Sequence, residues 1–493
     1  MVVRPIRKVL IANRGEIALR VIRACRVRGI ATVAVYSDAD RSAPHVRAAD
    51  EARRIGPAPA SESYLRIPAM VEAARDTGAD AVHPGYGFLA ENSAFASACA
   101  DAGLVFVGPA AETLARCGDK AEARRAIRAA DIPVLPGTDP VDDEEAAAAA
   151  ARIGFPVLIK AAGGGGGKGI QRVGRADDLP GALRLARGEA RAAFGDDRVY
   201  LERWVDVPRH VEMQIVADAH GAVVHLGERE CSIQRRHQKL LEEAPSLALD
   251  VRLRRAMGAA AAEAARAVGY RNAGTVEFLV DGPRFYFLEI NARLQVEHPV
   301  TELVAGIDLV GLQLEIAAGA PLPFRQEDVV FRGHAIECRI SAEDPAAQFL
   351  PSAGRVGEVI LPGGPGIRVD GVLVPGIEVT RYYDPLLAKV IAWGETREQA
   401  IARMAAALSE MVVTGVPTTI PFHRWALRHP AFAAGRYSTR FTDLEWARRA
   451  AVDPDLAAVA AAVLAHRDGR RPPALAVQEA GGWKAAARRE ALS

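Results

Sequence analysis

The chain of 493 residues is long enough for about three domains of ordinary size, and half of its residues are hydrophobic. Its 62 basic and 61 acidic side chains nearly cancel, so we expect neither nucleic acid nor an anionic membrane as a partner. The five cysteines are scattered and include no C-x-x-C pair, which argues against a disulfide framework or a zinc knuckle and favours a reducing, cytoplasmic location.

The N-terminal segment has the strand and helix alternation of a parallel α/β domain. The run KVLIA at 8–12 predicts a strand, the amphipathic stretch 16–29 predicts a helix, and ATVAVYS at 31–37 predicts the next strand. The intervening turn carries only Gly15, so the three-glycine dinucleotide fingerprint is missing. No apolar stretch reaches the roughly 18 residues of a membrane helix, and we expect neither a signal peptide nor a membrane span.

A second unit is predicted to begin near residue 118. There a helical pattern ends before Pro133, and the strand PVLIK at 156–160 runs into a glycine-rich loop. Several strand patterns between 199 and 290 indicate an α+β segment with a largely antiparallel sheet. Beyond Arg332 a further strand-rich pattern leads to a predicted helix at 396–411.

The glycine-rich loop is a candidate phosphate site. Five consecutive glycines (163–167) and Lys168 follow the strand that ends at Lys160. A backbone without Cβ atoms can fold over phosphates and donate N–H groups to them, and the two lysines would supply counter-charge. The segment is not a Walker A loop, because Ala162 replaces its first glycine and Gly169 replaces its Ser or Thr. A flexible linker is the alternative interpretation.

The run 275–291 predicts a β-hairpin. A register centred on Pro283 would place Glu277 directly opposite Glu289. Facing carboxylates repel each other unless a cation lies between them, and two carboxylates with the Asn291 amide suit Mg²⁺ bound to a nucleotide. We therefore predict a Mg²⁺–nucleotide site here, with a solvated hairpin face as the alternative.

Polar residues continue at every second position beyond this hairpin. If the chain stays extended, Arg293, Gln295 and Glu297 share one face with Glu289 and Asn291. An arginine fork matches a planar oxyanion and a nearby carboxylate can accept a proton, which suits binding and activation of bicarbonate or of a carboxylate substrate. An exposed polar edge strand is the alternative.

Two further segments concentrate charge. The stretch SIQRRHQKLLEEAP brings four potential cations together at 235–239 and would attract phosphate or bicarbonate, although a solvated loop has the same composition. In HAIECRISAEDP, Glu337 and Arg339 fall on one strand face, where Arg339 could enter a shared cleft or form a structural ion pair. His210 is either a site residue or an ordinary strand histidine.

Taken together, the ordered motifs resemble the biotin carboxylase family of the ATP-grasp superfamily. The motifs are VLIANRGEIALRVIRACRVRGI, AVHPGYGFLAEN, FVGP, KAAGGGGGKGI, PRHVEMQI, ERECSIQRRHQKLLEEAP, FLEINARLQVEHPVTE, GHAIECRISAEDP and YYDPLLAKVIAWGETREQAI. They occur in the family's order from about residue 6 to about residue 447.

The resemblance implies a multidomain α/β and α+β fold. Its parts would be a Rossmann-like N-terminal domain at 1–117, an ATP-grasp domain at 118–332 with a mobile glycine-loop lid at about 135–203, a C-terminal α+β domain at 333–448, and a tail of uncertain structure at 449–493. The implied activity is ATP- and bicarbonate-dependent carboxylation of biotin through carboxyphosphate, the first half-reaction of an acetyl-CoA or acyl-CoA carboxylase.

The resemblance also implies roles for residues by position. ATP contacts would come from Lys120, Lys160, Gly164, Gly165, Gly166, Gly167, Glu202, His210, Gln234, His237, Glu277 and Glu289. Two Mg²⁺ or Mn²⁺ ions would bind Glu277, Glu289 and Asn291, and bicarbonate would bind Lys239, Arg293, Gln295, Val296 and Glu297. In the catalytic set of Glu297, Arg293, Arg339 and Lys239, Glu297 would deprotonate bicarbonate, Arg293 would help hold carboxyphosphate, and Arg339 would stabilise the enolate-like ureido oxygen of biotin. Tyr86 would be a second contact to biotin.

The implied partners are a biotin carboxyl carrier protein and carboxyltransferase subunits on separate chains, together with a second copy of this chain in a homodimer. A separate carrier is expected because no lysine flanked by methionines occurs in the sequence. One departure is Lys168, which stands where the family often has arginine and lacks its fork of donors.

Two other interpretations remain open. Another ATP-grasp ligase, such as one that makes carbamoyl phosphate, would share the nucleotide site and show ammonia-stimulated turnover without biotin. A non-catalytic nucleotide-sensing protein is the third, and the retained acidic and basic residues are poor evidence for it.

Overall fold

The computed structural model describes residues 4–163 and 170–448. The chain divides into two compact units, Met1–Asp443 and Leu444–Ser493. The predicted phosphate-binding glycines at 164–167 and the predicted tail at 449–493 lie outside the described residues. Within the described ranges, no helix combines the length and the apolar character that crossing a bilayer requires.

The N-terminal residues form a parallel sheet covered by helices. Its strands are β1 (Lys8–Ile11), β2 (Ala31–Ser37), β3 (Glu51–Gly56), β4 (Ala81–His83) and β5 (Val105–Phe106), and the helices are α1 (Gly15–Val27), α2 (Pro44–Ala48), α3 (Ile67–Asp76), α4 (Ser93–Asp101) and α5 (Ala111–Gly118). The strand order is β3-β2-β1-β4-β5. On the central strand, Val9 and Ile11 pack in the core cluster that contains α1, whereas Leu10 packs against α3 and α4. Both faces are buried, as a parallel sheet requires, and the predicted strand, helix and strand are confirmed.

The next segment builds a small antiparallel sheet. It comprises α6 (Lys120–Ala129), α7 (Asp143–Ile153), β6 (Val157–Ala161), β7 (Gln171–Val173), α8 (Leu179–Phe194) and β8 (Val199–Arg203), with strand order β7-β6-β8. Asp119 caps α6 by accepting from the backbone N–H groups of Ala121 and Glu122. The cap starts the helix at Lys120, so this lysine projects from its first turn.

An eight-stranded antiparallel sheet forms the centre of the larger unit. The elements from here to residue 443 are β9 (Arg209–Ala217), β10 (Val223–Arg235), β11 (Gln238–Ala244), α9 (Val251–Ala267), β12 (Asn272–Asp281), β13 (Arg284–Asn291), α10 (His298–Ala305), α11 (Leu309–Ala317), β14 (His334–Ser341), β15 (Glu343–Asp344), β16 (Leu350–Pro351), β17 (Gly354–Arg355), β18 (Val359–Ile360), β19 (Ile367–Gly371), β20 (Glu378–Val379), β21 (Leu386–Gly394), α12 (Arg397–Glu410), β22 (Val412–Val413), α13 (Ile420–Arg428) and α14 (Pro430–Ala433). The large sheet has the order β13-β12-β9-β10-β11-β14-β21-β19, and β15-β16, β17-β20 and β18-β22 form small pairs. The predicted antiparallel sheet is confirmed.

This sheet joins two regions of the sequence. Strands β14, β21 and β19 come from beyond residue 333, and β14 pairs directly with β11 through four residue pairs. The hydrogen-bonded sheet is therefore continuous across the predicted boundary at 332/333. The charged stretch 232–245 is a β-hairpin of β10 and β11 rather than a solvated loop, with Arg236 and His237 at its tip.

Candidate active site

The hairpin of β12 and β13 places Glu277 directly opposite Glu289, as predicted. The turn is tighter than expected, because Asp281 pairs with Arg284 and leaves two residues between them. A register shift between Glu277 and Phe278 then moves the pairing by one residue. Without this bulge Glu277 would face Leu288, so the irregularity brings the two carboxylates together.

The oxygens of the predicted metal ligands already contact cationic side chains of the protein. Glu289 Oε2 lies 2.9 Å from Lys120 Nζ, and Asn291 Oδ1 accepts from Arg293 Nη2 at 3.2 Å. Glu277 contacts Lys239 and His210. Two facing carboxylates and an amide oxygen are the donors that Mg²⁺ prefers, and their cation contacts indicate that this edge of the sheet attracts positive charge. The residues therefore fit a divalent cation.

Lys239, on β11, is the centre of the buried charge cluster. Its Nζ donates to Glu212 Oε2 at 2.5 Å, to Glu277 Oε1 at 2.9 Å and to Glu297 Oε1 at 2.7 Å. Burial alone would lower the pKa of Lys239, but the surrounding acidic groups outweigh it and raise the pKa well above its usual range. His210 Nε2 contacts the other oxygen of Glu277 at 3.0 Å.

The expectation that the chain stays extended beyond Asn291 is wrong. Strand β13 ends at Asn291, and Glu297 has φ −82° and ψ 13° at the N-cap of α10. Pro299 stands in the first turn of that helix, where proline favours a helix start, and the chain must turn to reach it.

Despite the turn, the polar side chains of this segment still converge. Arg293 donates to the Gln295 Oε1 atom at 3.0 Å, and Gln295 Nε2 donates to Glu277 Oε1 at 3.4 Å. Arg293 also contacts Glu91 Oε2 at 3.1 Å. The predicted bicarbonate residues are thus neighbours of the predicted metal ligands, although they do not share a strand face.

Glu297 is held by two cations. Lys239 contacts one of its oxygens, and Arg339 Nη2 donates to Oε2, the other, at 2.8 Å. Burial would raise the pKa of this fully buried carboxyl group, but Lys239, Arg339 and then Arg229 hold it well below its usual range. Glu297 is therefore an anion at neutral pH, paired with two cations.

Three of the predicted ATP residues, Lys160, Glu202 and Gln234, lie on β6, β8 and β10. Lys160 Nζ donates to Glu202 Oε2 at 2.8 Å, and Arg124 holds the other oxygen of this buried carboxylate. Gln234 is buried and pairs in register with Lys239. His237 lies at the exposed hairpin tip.

Tyr86 connects to the site through Glu16 and Lys389, which lie inside the quoted motifs but were given no role there. The Tyr86 hydroxyl donates to Glu16, and Lys389 Nζ lies 3.1 Å from Glu16 Oε1. Lys389 also donates to the backbone carbonyl of Val296 at 2.8 Å. The predicted biotin contact is therefore linked to the segment that carries Glu297.

Other functional candidates were missed by sequence reasoning. Glu212 could have been found from the sequence, because His210, Glu212 and Gln214 alternate with apolar residues in HVEMQIV and so share one face of a strand. Arg229 is fully buried and donates to Glu212, Gln214, Thr275 and Thr301. Its burial could not be read from a continuous polar run such as GERECS.

The side-chain atoms of His210, Glu212 and Glu277 also lie within 4.8 Å of one another in a geometry that could hold a metal ion.

Three family models match the chain in order. They describe the biotin carboxylase N-terminal domain at residues 5–114, the ATP binding domain of the carbamoyl-phosphate synthase L chain at 119–325, and the biotin carboxylase C-terminal domain at 337–443. Biotin carboxylase 1 of Bacillus subtilis is 52% identical over 442 residues, covering 89% of this chain and 98% of that protein. A pyruvate carboxylase subunit of Methanothermobacter thermautotrophicus is 50% identical over 438 residues, covering 88% and 89% respectively.

Solved structures agree with these matches. The biotin carboxylase–β-γ-ATP complex of Campylobacter jejuni superposes with a TM-score of 0.87 at 44% identity, covering 89% of this chain and 99% of that one. The biotin carboxylase domain dimer of Hydrogenobacter thermophilus 2-oxoglutarate carboxylase, with MgADP, ADP and bicarbonate, gives 0.86 at 46% identity and covers 89% and 97%. With its fold, its ordered domains and its identity to these proteins in agreement, the chain belongs to the biotin carboxylase family.

Proposed function

We propose that this protein carboxylates biotin on a separate carrier protein, using ATP and bicarbonate, as the first half-reaction of an acetyl-CoA or other acyl-CoA carboxylase. The observation that carries the proposal is the contact of the buried Glu297 carboxylate with both Lys239 and Arg339. This arrangement places a base beside two cations that attract bicarbonate, and it lies next to carboxylates that suit a metal-bound nucleotide.

The reaction begins with bicarbonate. Lys239 and Arg293 bind the anion, and Glu297 accepts its proton. A bicarbonate oxygen then forms a bond to the γ-phosphorus of ATP while the bond to ADP breaks, which gives carboxyphosphate. Gln295 and the backbone of Val296 complete the anion contacts in this proposal.

The second stage transfers the carboxyl group to biotin. Arg339 faces the ureido oxygen and stabilises the negative charge that develops there as N1 loses its proton. The bond from N1 to the carboxyl carbon forms as the C–O bond of carboxyphosphate breaks, and the released phosphate accepts the N1 proton. Tyr86, tied to Glu16, is the second proposed contact to biotin.

The nucleotide end of the site uses the remaining predicted residues. Lys120, Lys160, Glu202, His210, Gln234 and His237 would bind ATP with the glycines at 164–167. Glu277, Glu289 and Asn291 would hold Mg²⁺ or Mn²⁺. The bound cation would neutralise the negative charge of the phosphates. Lys120 and Lys160 contact Glu289 and Glu202, so both lysines are already oriented toward this end.

The partners and boundaries complete the proposal. We assign a carrier protein and carboxyltransferase subunits on other chains, a homodimer, and domains at 1–117, 118–332 and 333–448. The Methanothermobacter relative is one subunit of a pyruvate carboxylase, which supports separate chains, and the dimer of the Hydrogenobacter domain supports the homodimer. The five free, buried thiols support a cytoplasmic location.

A direct assay of ADP release tests the function. Purified protein with Mg²⁺, ATP and bicarbonate is expected to release ADP faster when free biotin is added. Ammonia is the matched alternative acceptor, because a carbamoyl-phosphate-forming relative would respond to it instead. ADP release that responds to ammonia and is indifferent to biotin would contradict the proposal.

A further inference from the structure

Two buried acidic side chains beside the site have no part in the reaction proposed above. Glu242 on β11 and Glu337 on β14 lie directly opposite each other across the antiparallel pair, and both are fully buried. Within the part of the chain that the structure describes, both oxygens of Glu337 and Oε2 of Glu242 have no hydrogen-bond partner. Two facing carboxylates cannot both stay ionised under these conditions, so the pair must carry a proton.

The charged partner of this pair is Arg339. Its Nε donates to Glu242 Oε1 at 2.6 Å, while its Nη2 donates to Glu297 Oε2 at 2.8 Å. The guanidinium group is therefore held between two carboxylates from different elements. When Glu297 accepts a proton it loses its charge, and the attraction that Glu297 exerts on Arg339 falls.

We propose that Glu242 is a positioning residue that keeps Arg339 in place while Glu297 carries the proton taken from bicarbonate. This inference rests on the proposed function, because it uses the roles given there to Glu297 and Arg339. Glu242 is suited to the task because it accepts from Nε of Arg339, whereas Glu297 accepts from Nη2 of the same guanidinium group. Arg339 thus stays oriented through the step in which biotin must react.

Glu337 supplies the proton that makes this arrangement stable. Burial raises the pKa of Glu337 well above its usual range, and the neighbouring Glu242 adds to the effect against the pull of Lys389. A protonated Glu337 can donate to the unpartnered Oε2 of Glu242, since directly opposed side chains on antiparallel strands lie within reach.

The charge on Glu242 also responds to Glu297. Burial raises the pKa of Glu242 to about 7 despite the Arg339 contact, and repulsion from Glu297 contributes to that rise. Protonation of Glu297 removes the repulsion, so Glu242 becomes more fully ionised at the moment when Arg339 needs a charged partner.

The substitution E242Q tests the proposal. It keeps the shape of the side chain and removes its charge, so Arg339 loses a charge-assisted hydrogen bond. We expect kcat for biotin-stimulated ADP release to fall about ten- to a hundredfold, with KM for ATP within about twofold of the wild-type value. E337Q is the matched control, because a neutral amide replaces a neutral acid on the opposite strand, and it is expected to retain kcat.

A double-mutant cycle separates positioning from general structural damage. In an R339Q background, E242Q is expected to cause no further loss of kcat, because the group that it positions is gone. If E242Q does not fold, E242D serves instead: it keeps the anion at a shorter reach and is expected to lower kcat by a smaller factor.

Several results would overturn the inference. They are a wild-type kcat in E242Q or E242D, the same fold-loss from E242Q in the R339Q background, and an equal loss of kcat in E337Q. Biotin-stimulated ADP release by the wild-type protein must be present in every case. Its absence would contradict the proposed function instead, so the two failures are distinguishable.

Discussion

At the scale of single residues, the site is a balance of buried charges. Lys239 contacts three carboxylates, and Arg339 contacts two. The balance differs between acids: the pKa of Glu297 is held well below its usual range, because nearby cations outweigh the effect of burial, whereas burial raises the pKa of Glu337. Neighbouring acids with opposite shifts can divide the tasks of accepting a proton and holding one.

The substitution Glu297→Gln tests the proposed base. An amide cannot accept the bicarbonate proton, so we expect biotin-stimulated ADP release to fall about 10²- to 10⁴-fold. Nucleotide affinity, measured by direct titration, is expected to change little, because Glu297 has no direct contact with a proposed ATP residue. Lys239 lies between Glu297 and Glu277. Glu263→Gln, which removes the same charge from an exposed position on α9, is the control. Wild-type turnover in the Glu297 variant would rule out this residue as the base.

At the scale of elements, the β10–β11 hairpin carries local backbone strain. Arg236 and His237 at its tip have φ angles of +48° and +64°. A two-residue turn with both φ values positive favours Asn-Gly, and a bulky residue there costs about 1–2 kcal/mol. The hairpin holds Lys239 three residues beyond Arg236, so this strain lies at the edge of the proposed active site.

Substitutions that relieve the strain at Arg236 and His237 test separately the stability of the hairpin and the binding of ATP. Arg236→Asn and His237→Gly are each expected to raise the free energy of unfolding by about 0.5 to 1 kcal/mol, measured by urea denaturation. Only His237→Gly is expected to raise KM for ATP, because His237 is the proposed nucleotide contact. Equal KM values in the two variants would remove His237 from the ATP site.

At the scale of the whole unit from Met1 to Asp443, Glu243 ties three elements together. On β11, it accepts from His334 Nε2 on β14 at 2.6 Å and from Arg397 Nε on α12 at 2.6 Å, and the Tyr437 hydroxyl also donates to it. Burial would raise the pKa of Glu243, but the His334 and Arg397 contacts lower it to about 2. These contacts connect the two sides of the 332/333 position.

The lowered pKa of Glu243 predicts that this unit loses stability in acid. A carboxyl group with a lowered folded-state pKa stabilises the fold above its unfolded pKa, and that stability is lost as the pH falls from about 4.5 to about 2. The shift corresponds to roughly 3 kcal/mol. Glu243→Gln is therefore expected to lower the urea midpoint strongly at pH 6 and much less at pH 2.5. An equal loss at both pH values would show that the charge on Glu243 is not the cause.

The sequence by itself determined the features that depend on neighbours along the chain. The turn residues around Pro283 predicted the β12–β13 hairpin, whereas the pairing of Glu277 with Glu289 also needed the bulge beside Phe278. The ordered motifs identified the family, because each keeps its residue types at short, fixed spacing. The residues alone predicted a metal–nucleotide site and an oxyanion site, the contacts to biotin followed only from the resemblance, and all of these roles stay predictions.

Only the tertiary structure decided how distant segments meet. The bulge beside Phe278 and the path from Tyr86 through Glu16 to Lys389 have no signal in local spacing. Glu242 faces Glu337 because two strands almost a hundred residues apart pair in one register. Strand register and helix starts are set by packing that maximises buried apolar contact and satisfies buried charges, and those energies depend on the whole fold rather than on any short stretch.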